Sequence, residues 1–458
     1  MNPTTLKLRR TRTWQDERDD FEIEGGHKLS GQITTNASKN GATHLFAAAL
    51  VNRGKTTLKN IPRIEDVSRF IEVFKSLGIK VVWTGRHTLT IEPPKTFNVS
   101  NINSRATGKI RSALMLIGPL SARLNSFKLP HIGGCKMGER TIAAHRYALE
   151  DLGLKIETKE NYYRISRGKR TKKEVVMYES SDTGTTNAIL RAAVLPASPA
   201  GKPQSTVIDF AQQNYMTLEV CYFLKKLGIK IEGIGTKTLT IEGNPNIKKD
   251  LEYSNSEDPV EAMLFITAAI MTRSKLVIRR APIDFLKVEL LKLEKMGLRY
   301  SVSKTYFSDN GHTKLTDITI RPSKLKALFD KIHAQPYPGI NTDNLPFFVP
   351  IATQATGRTL IHDWMWEDRA IFFTELNKLG AGVRLADPHR VFIDGPTKLR
   401  GAQIVCPPAL RPAVMLLTAM LGAEGKSTLR NVYAIKRGYE NIVERLNKIG
   451  AKIRILKT

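Results

Sequence analysis

Six stretches of the chain repeat one hydropathy pattern: an amphipathic tail ending in Leu, Met or Ile, then a glycine, then a short apolar run. They cover residues 74–81, 149–156, 224–231, 293–300, 376–383 and 446–453. The glycines are Gly78, Gly153, Gly228, Gly297, Gly380 and Gly450, about 70–80 residues apart. Each stands where a helix needs a left-handed C-cap, which glycine adopts without a Cβ clash. Other elements recur in phase. Upstream of each tail lies an apolar helix rich in small residues, expected at 44–51, 112–122, 187–194, 261–271, 344–353 and 413–421. A strand follows that helix, as at 56–59 and 427–430, and alternating strands follow the tail, as at 88–91 and 238–241. The unit reads strand, helix, strand, helix, strand, strand. Six βαβαββ repeats make the chain an α/β protein.

The polar positions between these elements are as regular as the apolar ones. Just before the apolar helix of each unit lies a short polar or strained loop: residues 38–41, 109–111, 182–186, 256–259, 341–344 and 409–412. Helix starts offer free N–H groups and the positive end of the dipole, which suits phosphate or carboxylate. Lys39 and Arg111 add full charges there, and Asp343 stands out among them. Its ordinary role would be a helix N-cap.

Composition sharpens the ligand class. Lys and Arg number 71 against 43 Asp and Glu, a net charge of +28, which favours anionic ligands. The basic residues are spread along the chain without aromatic interleaving, so nucleic acid is not the expected partner. A length of 458 residues gives a soft prior of about three domains. No apolar run is long enough for a membrane span, and residues 1–20 lack the apolar region of a signal peptide, so they read as a frayed leader. Three cysteines cannot form a disulfide framework and none has metal-ligand spacing, which fits a reducing cytoplasm.

One loop carries chemistry of its own. Around Cys135 stand Gly133, Gly134 and Gly138, with Lys136 and Arg140 beside the thiol. Neighbouring cations lower a thiol's pKa and open nucleophilic or acid–base roles. A small buried cysteine in a turn is the other reading of the same residues.

Together, Ser38-Lys39-Asn40, Arg111 with Gly118-Pro119-Leu120, the loop from Gly133 to Arg140, Thr342-Asp343, Glu367-Asp368-Arg369 and Arg437-Gly438-Tyr439-Glu440 resemble the UDP-N-acetylglucosamine 1-carboxyvinyltransferase (enolpyruvyl transferase) family, in order from about residue 24 onward. The resemblance implies two inside-out α/β barrel domains of three units each, with helices at the centre and the site in the cleft between them. Residues 1–38 plus 246–458 would form one domain and 39–245 the other, which carries the Cys135 loop. It implies enolpyruvyl transfer from phosphoenolpyruvate to a hydroxyl of UDP-N-acetylglucosamine, with no cofactor and no metal. By analogy Lys39, Arg140 and Arg437 hold phosphoenolpyruvate, with Arg369 and Met365 nearby. Asn40 and Arg111 meet the nucleotide sugar, Cys135 supplies a proton and Asp343 is the base; Cys135, Asp343, Lys39 and Arg437 form the catalytic set.

The chain departs from that pattern at three places. Ala409 replaces an aspartate of an Asp-Leu-Arg motif, residues 180–184 place Asp182 where the family has a Ser-Val-Gly run, and Thr141 replaces a proline. These departures leave three further readings open: the same chemistry on another uridine nucleotide, an RNA-cyclase-like nucleic-acid-binding protein, or a catalytically impaired regulatory relative. The shikimate-phosphate branch normally lacks this loop cysteine.

Overall fold

Every helical tail ends as its glycine requires: φ is 80° at Gly78, 82° at Gly153, 108° at Gly228, 101° at Gly297, 87° at Gly380 and 109° at Gly450. The structure, a computed structural model, describes residues 19–134, 141–197, 201 and 203–457. Residues 1–18 of the expected leader lie outside it. Asp19 and Asp20 are not leader, because they open a strand, Asp19–Gly25, and are buried.

Four of the six apolar helices form as regular α-helices: Lys39–Ala49, Asp182–Ala193, Pro259–Met271 and Leu410–Gly422. They are buried almost all round, as a helix without a polar face must be. The other two are broken. One is a 3-10 turn, Arg111–Leu116, continued by Ile117–Leu120; the other is Leu345–Phe347 continued by Phe348–Ala352. Proline explains both: Pro119 and Pro350 each remove an interior helix donor. In the first, Asn187 repairs the break by accepting from the Gly118 N–H at 2.8 Å and donating to the Leu114 carbonyl at 2.8 Å. A Cβ on Gly118 would lie 2.8 Å from the Asn187 carbonyl oxygen, so this close approach needs glycine.

The strands make six sheets around these central helices. Two strands leave their own units. Gln32–Thr34, which opens the first unit, pairs in parallel with Leu276–Pro282 of the fourth. Leu251–Ser254, which opens the fourth, pairs in parallel with Thr56–Lys59 of the first. The sheet of the last unit is completed from the other end of the chain, because Asp19–Gly25 lies between Gly425–Arg430 and Lys452–Lys457. The second unit has no opening strand among the described residues, and its sheet has three strands.

Two apolar cores result. One gathers Phe21 to Ile33 with Val260 to Ile453; the other runs from Ala42 to Tyr253. The protein is thus built from two α/β halves, not the three that length suggests. Ile247, Leu251 and Tyr253 pack in the second core. We therefore propose a domain crossing between Tyr253 and Val260 rather than at residue 246. No helix among the described residues is long and apolar enough to cross a membrane.

Candidate active site

Five of the six pre-helix loops meet at one cavity of about 660 Å³. Lys39 and Asn40, Ile110 and Arg111, and Asp182 and Thr183 line it from one half; Asn341, Thr342 and Asp343, and Leu410 and Arg411 line it from the other. The sixth loop stands just behind: the Asp258 carboxylate caps its own helix and accepts from the Lys39 N–H at 3.2 Å. Helix starts thus converge because each sheet-and-helix unit presents the same end of its central helix to the cleft.

Charge is organised around two carboxylates. Asp66, at the start of helix Glu65–Ser76, takes the Lys39 ammonium on one oxygen at 2.7 Å and the Arg437 Nε on the other at 3.0 Å. Burial alone would raise its carboxyl, but the two cations outweigh this and hold it below the usual range. Asp343 is paired to Arg411 at 2.8 Å, and Asn40 donates to the same oxygen at 3.4 Å. Burial again pushes upward, but Arg411, then Lys39 and Arg369, hold Asp343 at about 2. Tyr439 anchors the far side of the Arg411 guanidinium at 2.7 Å. Arg111 donates to the Thr141 carbonyl at 2.6 Å.

Of the expected site residues, Lys39, Asn40, Arg111, Asp343, Met365 and Arg437 all line the cavity. Arg369 does not: it is fully buried behind the wall, clamped by both oxygens of the equally buried Asp363. It reaches the site through Thr342, whose hydroxyl accepts from Arg369 at 3.3 Å and from the Trp366 indole at 2.8 Å. Cys135 and Arg140 lie outside the described residues; Gly134 and Thr141, on either side of that segment, line the cavity. Cys221 and Cys406 are buried elsewhere, and burial pushes their thiols up to about 12, which leaves both inert.

Residues 23–446 match the EPSP synthase (3-phosphoshikimate 1-carboxyvinyltransferase) family. The chain is 35% identical over 436 residues to the UDP-N-acetylglucosamine 1-carboxyvinyltransferase of Bradyrhizobium diazoefficiens, covering 95% of this chain and 97% of that one. It is 34% identical to the protein of the same name from Treponema denticola, covering 95% and 99%. The chain belongs to the enolpyruvyl transferase family. Its fold is also that of a solved structure, the enolpyruvyl transferase NikO from Streptomyces tendae, with a TM-score of 0.83 at 24% identity over 96% of this chain and 100% of that one.

Several residues that shape the cavity of this enolpyruvyl transferase carry little signal in the sequence. Asp66 reads there only as an acid in a helix's first turn, and Arg411 as one more base beside a proline. His145 is buried in the wall, with Nδ1 accepting from Asn187 and Nε2 3.1 Å from the Thr183 hydroxyl. Burial, with Arg111 and His44 nearby, lowers it to about 3, so it stays neutral. Ala409 leaves helix Leu410–Gly422 without a side-chain cap. Pro412 makes this tolerable: it occupies the third helical position and has no N–H for a cap to satisfy.

Proposed function

We propose that this enolpyruvyl transferase moves the enolpyruvyl group of phosphoenolpyruvate to a sugar hydroxyl of UDP-N-acetylglucosamine, releasing phosphate, the first committed step of peptidoglycan precursor synthesis. The observation that carries this reading is the convergence of Lys39, Arg437, Arg411 and Asp343, from both halves of the chain, on one cavity. The names of the similar proteins support the choice of acceptor. Both substrates are cytoplasmic metabolites, and we place the protein in the cytoplasm.

Phosphoenolpyruvate brings a phosphate and a carboxylate, and charge-assisted bonds from Lys39 and Arg437 suit both. The two cations are held side by side by Asp66 before any ligand arrives, so their geometry is preorganised. Addition forms a bond from the sugar oxygen to C2 of phosphoenolpyruvate while C3 gains a proton and the hydroxyl loses one. Elimination then removes a proton from C3, restores the double bond and expels phosphate. We assign the proton at C3 to Cys135 and the hydroxyl proton to Asp343. A carboxylate held at about 2 is a weak base toward a free alcohol. It orients the hydroxyl by accepting its hydrogen bond, and takes the proton only as the new C–O bond makes that oxygen acidic. Arg369 fixes Thr342 and hence the Asp343 turn, so its role is positioning.

The test is phosphate release from phosphoenolpyruvate with a panel of acceptors. Release with UDP-N-acetylglucosamine is expected; release only with another uridine nucleotide, or none at all, would replace this reading.

A further inference from the structure

The wall of the cavity is not uniformly cationic. Asp182 lies on it, at the first position of helix Asp182–Ala193. One carboxyl oxygen, Oδ2, accepts from the Asn214 amide at 3.3 Å, while Oδ1 is buried with no hydrogen-bond partner among the described residues. No lysine or arginine among those residues pairs with it, whereas Asp66 and Asp343 each have cations at 3.0 Å or closer. The surrounding groups among the described residues do not supply one: Arg111, on the same wall, donates to the Thr141 carbonyl at 2.6 Å. Glu179 adds a second carboxylate on the same loop, and Asn214, at the start of the neighbouring helix, is neutral. Behind Thr183 stands neutral His145. Across the cavity is ionised Asp343, its charge already matched by Arg411. The helix start favours an ionised carboxylate, but burial opposes it more strongly, and with a push from Asp343 raises Asp182 to about 7.

This geometry meets a ligand problem. On the reading proposed above, the cavity admits a nucleotide sugar whose diphosphate is permanently charged. A carboxylate on the wall with no cation partner among the described residues repels that charge; a neutral carboxylic acid does not, and can donate a hydrogen bond to it. We propose that binding of UDP-N-acetylglucosamine is coupled to uptake of one proton at Asp182, so that the neutral acid is the binding-competent form. The proton comes from solvent and returns there on release; no bond other than the O–H at Asp182 is made or broken.

The sign follows from linkage. Ligand charge raises the carboxyl further in the complex, so affinity falls as pH rises through its value in the free protein, by at most about tenfold per pH unit for one proton. The nucleotide sugar has no group of its own titrating from about pH 6 to about pH 8, and leaving out phosphoenolpyruvate removes its titrating phosphate. Calorimetric titration of UDP-N-acetylglucosamine alone into the whole chain, in buffers of different ionisation enthalpy, reads affinity and proton uptake together. The expected result is weakening across that range with net uptake in wild type, and a flat profile without uptake in Asp182→Asn and Asp182→Ser. A flat wild-type profile, or an equal slope in a folded variant, overturns the coupling and leaves the proposed acceptor standing. Wild type that does not bind at any pH removes the acceptor reading, and this inference with it.

Discussion

Asp343 and Asp66 show how little a residue's type says about its charge state until its partners are known. Both are in polar clusters where burial would neutralise them, and both stay ionised because cations approach within 3.0 Å. For Asp343, lowered from 3.8 to about 2, the contribution to stability is complete above about pH 4 and is lost as pH falls toward 2. Asp343→Asn is expected to keep ligand binding within a few-fold while kcat falls by about 10²–10⁴, the range for removal of a general base. Near-normal turnover would leave Asp343 as a structural partner of Arg411 only. At Cys135 the expectation is covalent: fosfomycin adds one adduct to wild type, seen by intact mass, and none to Cys135→Ser. The thiols of Cys221 and Cys406, pushed up to about 12, should remain unlabelled.

At the level of elements, the central helices are alike in sequence pattern but not in how they begin. Ser38 and Ser181 each cap their helix by accepting from the N–H three residues on, Gly41 and Gly184, at 2.9 and 3.2 Å. Ala409 cannot, and Pro412 leaves no donor at that position. Ser38→Ala should therefore lower stability by about 1 kcal/mol, the usual cost of a lost cap. Ala409→Ser should gain less than that, because its hydroxyl finds no N–H at the third position. Denaturation midpoints of the two variants against wild type measure the difference; an equal and opposite pair would contradict the account. The two broken helices follow the same logic, since their prolines remove donors that the rest of the helix would need.

Across the whole molecule the halves are joined by more than the cleft. The chain passes between them after Gln32–Thr34 and after Leu251–Ser254, each of which pairs within the half whose core it shares. A buried polar contact adds to them: Glu219, on helix Tyr215–Leu227, accepts from the Asn310 amide of the other half at 3.1 Å on both oxygens. Burial raises Glu219 from 4.5 to about 8. The folded chain therefore holds a proton there that the unfolded chain releases. The stability this confers is present below about pH 4.5 and is lost as pH rises toward 8. Glu219→Gln should lose less stability than wild type between about pH 6 and pH 9, by urea denaturation. Equal losses in the two proteins would mean that Glu219 is ionised in the fold.

Much of this architecture is written in local pattern. Six glycines after six amphipathic tails require a left-handed turn whatever surrounds them, and all six take it. Apolar helices without a polar face must be interior, and the loops before them must offer helix starts to a ligand. The sequence by itself thus determined the repeat, the α/β class and the pre-helix loops that bring Lys39, Arg111 and Asp343 to the cavity, while the family resemblance pointed to Asn40, Met365 and Arg437. It did not determine pairing. Which strand joins which sheet and the meeting of Asp66 with Lys39 and Arg437 join residues on separate elements, and Arg369, six residues from Asp363, is buried only by what packs over that connection. Local periodicity states which face of an element is apolar but not which element covers it. Only the closed tertiary structure decided those contacts, and with them the charge on Asp66 and Asp343.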